Sequence, residues 1–244
     1  MDQHIVTYDP VRDISPKKLG IEKHQDTRYL LDHEIEWFFT ALERTRTLEK
    51  NKIYLELLLF YGCRPIELRE ANISQLNFDF GLWSIPWQQH KTGSKTKQPL
   101  VRPITKDIEH LWKRAIELSG SKKWVFSNEN SKDCLSRSAV AACVRNLSNY
   151  WTKKITDENG EPVKFEHWTL YSLRKTARTN FSNWGDWVVC EKMVGHKMGG
   201  ESDKYDYNTY AHKMIPVYDS WYAHLDSIRS GKSNIVQIKK RATQ

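Results

Sequence analysis

Tyr61-Gly62-Cys63-Arg64-Pro65-Ile66-Glu67-Leu68 is the stretch on which the fold turns. It follows an apolar segment, about 50 to 62, in which Ile53, Leu57, Leu58 and Phe60 are placed as in a largely buried helix. Gly62 predicts the end of that helix, because glycine accepts the left-handed backbone that closes helices. Pro65 predicts a third, short helix, since a proline at the first helical position loses no needed amide proton. Arg64 therefore starts from the edge of the core, at the junction of two helices.

Working outward, Glu34 to Leu42 carries apolar residues at helical spacing, with Asp32 as its expected cap. Residues 1 to 27 hold two prolines and mixed charges without periodicity, and read as a lead-in or interdomain linker. Beyond Ser74 the pattern shortens. Leu76-Asn-Phe78-Asp-Phe80 and Leu82-Trp83-Ser-Ile85 alternate across a glycine, and Pro99-Leu100-Val101 follows a basic turn from His90 to Lys97. This predicts a small antiparallel sheet of about three strands with Lys91 in a hairpin. Helices are expected at 105 to 118, 136 to 153, 172 to 183, 186 to 194 and 211 to 230, the last with Pro216 inside it. Glu158 to Glu161 reads as a loop, and Asn234 to Ile238 as a short strand. The expected class is mainly α with a small antiparallel β-sheet, with a main domain over 28–230 and a tail over 231–244.

The chain of 244 residues carries a formal charge of +8, which favours a polyanionic partner. Cys63, Cys134, Cys143 and Cys190 are scattered with no C-x-x-C pair, arguing against a zinc module or a disulfide framework and for a reducing compartment. The N-terminal residues lack the pattern of a secretory signal, and the apolar run around Leu57 to Phe60 is too short to span a bilayer. A cytoplasmic setting without a membrane follows as the expectation.

The chemistry concentrates in a few side chains. Arg64 and Arg174 each offer a planar fork suited to two phosphate oxygens. Arg64 is equally placed to pair with Glu67 or Glu70, and Glu67 can orient it while it serves a phosphate. Tyr171 and Arg174 lie three apart on one expected helix and share a face. Arg174, Lys175 and Arg178 also read as a solvated basic stripe. His196 follows Gly195, a helix-ending glycine, and suits hydrogen bonding to phosphate or proton transfer near neutrality. Lys91 sits in a turn rich in lysine, which serves equally as a nonspecific phosphate contact. Tyr205, Tyr207, Tyr210 and Tyr218 are indistinguishable by composition.

Taken together, these residues resemble the catalytic domain of a tyrosine recombinase of the phage or genomic-island integrase type. That family's pattern is a G-x-R-x-x-E-L box, a hairpin lysine, H-x-x-R, G-H, and a tyrosine nine residues after that histidine. Here it falls on Gly62-Cys-Arg64-Pro-Ile-Glu67-Leu68, Lys91, Arg174, Gly195-His196 and Tyr205. Tyr171 stands where the family places the first histidine of H-x-x-R. The resemblance covers about residues 28 to 225.

It implies site-specific recombination of double-stranded DNA through a 3'-phosphotyrosyl link, with Tyr205 as nucleophile, Lys91 as proton donor to the leaving oxygen, and no metal or cofactor. It also implies other protomers in a DNA-assembled complex and accessory DNA-bending proteins. The helical DNA-binding domains that usually precede such a domain have no counterpart in the short lead-in, which marks the chain as an isolated catalytic fragment or a reduced relative. A type IB topoisomerase and a noncatalytic DNA-binding regulator stay open as alternatives.

Overall fold

The computed structural model describes residues 27–130, 132–154, 156, 159–162, 166–198 and 208–231, together with Ile14, Lys18 and Leu19. Most of the expected lead-in, Tyr205, Tyr207 and the Asn234 to Ile238 segment lie outside the described residues.

The elements run α1 (Asp32–Arg44), α2 (Glu49–Tyr61), α3 (Pro65–Arg69), β1 (Leu76–Asn77), β2 (Leu82–Ile85), α4 (Gly93–Thr96), β3 (Leu100–Pro103), α5 (Lys106–Ser119), α6 (Arg137–Lys154), α7 (Leu170–Phe181), α8 (Trp187–Met193) and α9 (Ala211–Arg229). The three strands form one antiparallel sheet in the order β1-β2-β3, with Leu76 opposite Trp83 and Ser84 opposite Val101.

Helix α2 is the centre of the molecule. Ile53, Tyr54, Leu55 and every residue from Leu57 to Tyr61 are buried, so apolar side chains surround the helix instead of lining one face. A helix of that composition is stable only when covered all round, and α5, α7 and α9 supply the cover. Aromatic rings fill the space between these helices and the sheet: Tyr61 lies edge-on to Trp83 and Tyr218, and Trp112 sits 5.1 Å from Trp83. Two buried polar groups of this cluster are connected. Trp112 Nε1 donates to the Tyr61 hydroxyl at 3.1 Å, and that hydroxyl donates to the Pro103 carbonyl at 3.1 Å. Burying a phenol and an indole without such bonds would cost a few kcal/mol each.

The helix expectations agree with the structure to within about two residues at each end, the ordinary uncertainty of helix termini. Three local details differ. Asp32 is the first residue of α1, not its cap. Leu31 precedes the helix, and its amide donates to the Glu34 carboxylate at 2.9 Å, because Glu34 is buried there against Arg28. The alternation from Leu76 does not continue to Phe80, since Asn77 Oδ1 accepts the Phe80 amide at 3.0 Å and closes a turn that leaves Phe80 exposed. Lys91 is not on a tight hairpin tip. The antiparallel strands β2 and β3 are joined by residues 86–99, which contain a 3-10 turn, Trp87–Gln89, and the single turn of α4.

That connection is pinned by a buried histidine. His90 Nε2 lies 2.9 Å from the Gln98 carbonyl oxygen and therefore carries the proton, leaving Nδ1 to accept from Thr92 Oγ1 at 3.1 Å. Burial holds His90 below its ordinary pKa, in keeping with a neutral ring. No helix among the described residues is long and apolar enough to cross a membrane.

Candidate active site

Three local devices bring distant side chains to one place. At the end of α2, Gly62 takes φ 56°, and its carbonyl turns toward α7. A Cβ at Gly62 would stand 2.9 Å from the Ala177 Cβ, so this close approach of α2 and α7 admits only glycine. At the end of α8, Gly195 takes φ 70°. Its amide donates to the Lys192 carbonyl and the His196 amide to the Glu191 carbonyl, each at 2.9 Å. That paired arrangement is the Schellman closure of a helix, and it fixes where the His196 side chain leaves the chain. The third device is Pro65, the first residue of α3, which sets Arg64 as the residue immediately before that helix.

Arg64 and Arg174 converge on this corner. Arg64 Nη1 donates to Glu67 Oε1 at 2.7 Å, and Nη2 to the Gly195 carbonyl at 3.2 Å. Arg174, 8% exposed, donates from Nη1 to the Gly62 carbonyl at 2.8 Å and from Nη2 to His196 Nε2 at 2.9 Å. The pairing of Arg64 with Glu67 is therefore real, and it leaves Arg64 facing the same corner as the second arginine.

Sequence reasoning missed Arg102. It is fully buried on β3, donating from Nη2 to Glu67 Oε2 at 2.9 Å and from Nε to the Met193 carbonyl at 2.9 Å. The signal was a charged residue in an apolar strand, Leu100-Val-Arg102-Pro103, with one acidic residue in the Arg64 box to meet it. Glu67 is thus shared by two arginines. Burial pushes its carboxyl up, but Arg102 and Arg64 outweigh burial and hold it below the usual carboxylate range. Glu67 in turn keeps Arg102 above its ordinary value despite full burial.

Arg174 has no such partner: no carboxylate among the described residues pairs with it. Burial first, and the neighbouring Arg64 second, pull its pKa down to about 10. It stays charged at neutral pH, held by a carbonyl and an imidazole. A phosphate or carboxylate placed there would replace the solvation that burial removes.

His196 Nδ1 lies 2.6 Å from Glu191 Oε2, and Arg178 Nε donates to Glu191 Oε1 at 2.8 Å. Arg178 is therefore not part of a solvated basic stripe with Arg174. Burial pushes the Glu191 carboxyl up, but hydrogen bonds from Arg178 and His196 more than offset this and leave it below its ordinary pKa. Glu191 was not singled out from sequence, although it stands five residues before His196, where the helix closure brings it beneath the ring.

The remaining candidates are less tightly built in. Lys91 is exposed and adjoins Thr92, whose Oγ1 is 3.5 Å from the Gly195 carbonyl oxygen, so the β2–β3 connection lies against the same corner. Tyr171 is 54% exposed, one turn before the buried Arg174. Their shared helical face is partly outside the protein, and no hydrogen bond joins Tyr171 to Arg174. Tyr205 lies outside the described residues.

The family profile described as "Phage integrase family" matches residues 28–212. Among solved structures, the fold is similar to a lambda integrase dimer bound to a core site, with TM-score 0.52 and 19% identity over 76% of this chain and 62% of that one. It is similar to the Tn1549 transposon integrase in complex with circular intermediate DNA, with TM-score 0.56 and 14% identity over 83% of this chain and 69% of that one. The XerH site-specific recombinase bound to difH substrate aligns with TM-score 0.50 and 16% identity over 80% of this chain and 55% of that one. The chain thus spans less than two thirds of the lambda integrase and XerH chains. No curated protein sequence matches it. With the profile covering most of its length and the mainly helical fold agreeing, the chain belongs to the phage integrase family.

Proposed function

We propose that residues 28–230 form the catalytic domain of a tyrosine recombinase that breaks and rejoins double-stranded DNA at specific sites. The observation that carries this reading is Arg174, a buried guanidinium without a carboxylate partner among the described residues, beside Arg64 and in contact with His196. Arg64 and Arg102 share one buried carboxylate, Glu67, and Arg174 stands beside them without one among the described residues, which leaves an excess of positive charge at this corner. That arrangement suits the extra negative charge of a pentavalent phosphate better than a ground-state contact.

In this reading the Tyr205 phenolate attacks the scissile phosphorus, forming a 3'-phosphotyrosyl bond and releasing a 5'-oxygen that Lys91 protonates. A 5'-hydroxyl of the partner strand then attacks the same phosphorus and releases Tyr205. One phosphoester replaces another at each step, so no external energy source enters. Arg64, Arg174 and His196 hold the nonbridging oxygens, and Tyr171 adds a hydroxyl at the rim. The exposed lysines grip the DNA backbone without reading sequence.

The same reading includes other protomers assembled on the DNA, accessory DNA-bending proteins, a phage or genomic-island origin and a cytoplasmic setting. It rests on the family and, for the last, on the scattered free thiols.

The test is covalent capture. Nicked duplexes with a randomised central segment are incubated with the chain, and protein-linked DNA is isolated under denaturing conditions and mapped. An adduct on Tyr205 that disappears in Tyr205→Phe is the expected result. DNA binding without any adduct, or an adduct that survives Tyr205→Phe, rejects the assignment.

A further inference from the structure

We infer that Glu191 is a positioning residue that sets the tautomer of His196, and that Arg178 sets Glu191. The inference rests on the recombinase reading for its consequence in catalysis, but the geometry stands without it. His196 lies between two groups of opposite hydrogen-bonding character. Arg174 Nη2, a donor only, is 2.9 Å from Nε2. Glu191 Oε2, an acceptor, is 2.6 Å from Nδ1. Both contacts are satisfied at once only when the proton is on Nδ1 and Nε2 keeps its lone pair.

Arg178 makes the arrangement one-directional. Its guanidinium reaches Glu191 Oε1 through Nε at 2.8 Å and Nη2 at 2.7 Å, while Nη1 holds Ser182 Oγ at 2.7 Å. A guanidinium only donates, so the atom facing Arg178 must be an acceptor. With a carboxylate this restricts nothing, since both oxygens accept. With an amide it decides everything. In Glu191→Gln, Arg178 takes the single amide oxygen, and the NH2 turns toward His196 Nδ1. Nδ1 must then accept, the proton moves to Nε2, and Nε2–H faces the Nη2–H of Arg174. The change of one oxygen to NH2 thus places two donors against each other at the corner where the phosphate binds.

The charged groups around the ring come from three elements. Arg174 and Arg178 lie on α7, Glu191 on α8, and Arg64 approaches through the Gly195 carbonyl from the start of α3. Of the acids, Glu67 is occupied by Arg64 and Arg102. Among the described acids, Glu191 alone touches the imidazole. It therefore both orients the ring and answers the arginines for any positive charge the ring acquires when it serves a phosphate oxygen.

The test uses the full 15N-labelled chain without DNA at about pH 8, where an unperturbed imidazole is neutral, with His196 assigned by its loss in His196→Gln. Long-range 1H–15N spectra distinguish the two neutral tautomers directly. The expected result is Nδ1–H in the parent, Nε2–H in Glu191→Gln, and return to Nδ1–H in the double variant Arg178→Ala/Glu191→Gln, where the amide is free to turn its oxygen to the ring. The parent in the Nε2–H form, or Glu191→Gln with the parent's tautomer, overturns the inference. On DNA, single-turnover cleavage by Glu191→Gln should be about 100-fold slower with unchanged DNA affinity, as for loss of one oriented transition-state contact, and the double variant should recover part of it. Full-rate cleavage by Glu191→Gln would overturn the catalytic half of the inference. Absence of cleavage by the parent would reject the recombinase reading, while the spectra would still decide the tautomer.

Discussion

Arg174 Nη1 donates to the carbonyl oxygen of Gly62 at 2.8 Å, across 112 residues of sequence. The arginine of α7 is thereby tied to the residue that ends α2, so the helix packed at the centre of the fold also holds the proposed anion site. Packing and chemistry meet at one backbone carbonyl, which makes the site sensitive to changes that touch no reacting group.

Gly62→Ala is the first such change. The alanine must adopt φ near 56° and push against the Ala177 Cβ at 2.9 Å, with the Arg174 carbonyl oxygen at 3.4 Å. The left-handed conformation alone costs about 1–3 kcal/mol for a non-glycine residue. Urea denaturation should show a loss at or above the upper end of that range. DNA cleavage should fall further than the fraction unfolded explains, because the displaced backbone carries the Arg174 contact.

Arg174 itself should respond to anions. Its pKa, pulled down to about 10 from an ordinary 12.5, means that the folded state releases this proton more readily than the unfolded chain. The charged form therefore costs stability at neutral pH, and the cost fades as pH rises above about 10. An oxyanion bound at the site should repay part of it at neutral pH. Sulfate at constant ionic strength should raise the Tm of the parent by about 2–4 °C if it contributes about 1 kcal/mol. Calorimetry of Arg174→Ala should show no such sulfate-dependent increment.

Arg102→Leu should be severely destabilising, because Arg102 is fully buried and ion-paired. Removing one partner of a buried ion pair costs about 3–5 kcal/mol, because the remaining charge is stranded. Here Glu67 keeps Arg64, which moderates the loss, but the Met193 carbonyl at the end of α8 also loses its donor. Chemical denaturation should place the loss near the lower end of that range. Arg102→Lys should restore only part of it, since an ammonium cannot span Glu67 and the carbonyl with a fixed fork.

Acid should dismantle the site through its two carboxylates. Glu67 and Glu191 both have folded pKa values below their ordinary 4.5. Their contribution is fully present above that ordinary value and is lost as pH falls below it, through the lower folded values. A plot of Tm against pH should drop on the acid side of about 4.5, and the drop should be shallower in Glu67→Gln. An equally steep drop in that variant would remove Glu67 from the account.

The line of the main chain was largely legible in advance. Helical spacing around Leu57 and Leu58, Gly62 as a terminator, Pro65 as an initiator and the alternation at Leu82-Trp83-Ser-Ile85 are local signals, and each element formed near its expected place. The family-like spacing also singled out Arg64, Arg174 and His196, and the structure brings these three to one corner. The misreadings were also local in origin. Asp32 resembled a cap, but Glu34, drawn inward by Arg28, took the Leu31 amide instead. The residues around Lys91 resembled a short turn, but the buried ring of His90 drew the segment into two helical turns.

The sequence by itself determined the helical class, the small sheet, the family and the residues that define it, since these depend on periodicity, on the restricted backbone of glycine and proline, and on motif spacing. Only the tertiary structure decided which charge answers which. Arg64 and Arg102 share Glu67, Arg178 holds Glu191, and Arg174 is left with a carbonyl and an imidazole. Pairings of that kind span up to 131 residues here and depend on distances of about 3 Å. Such distances are set only when α2, α7, α8 and β3 pack together, because Coulomb and hydrogen-bond energies depend on position in space and on burial, not on order along the chain.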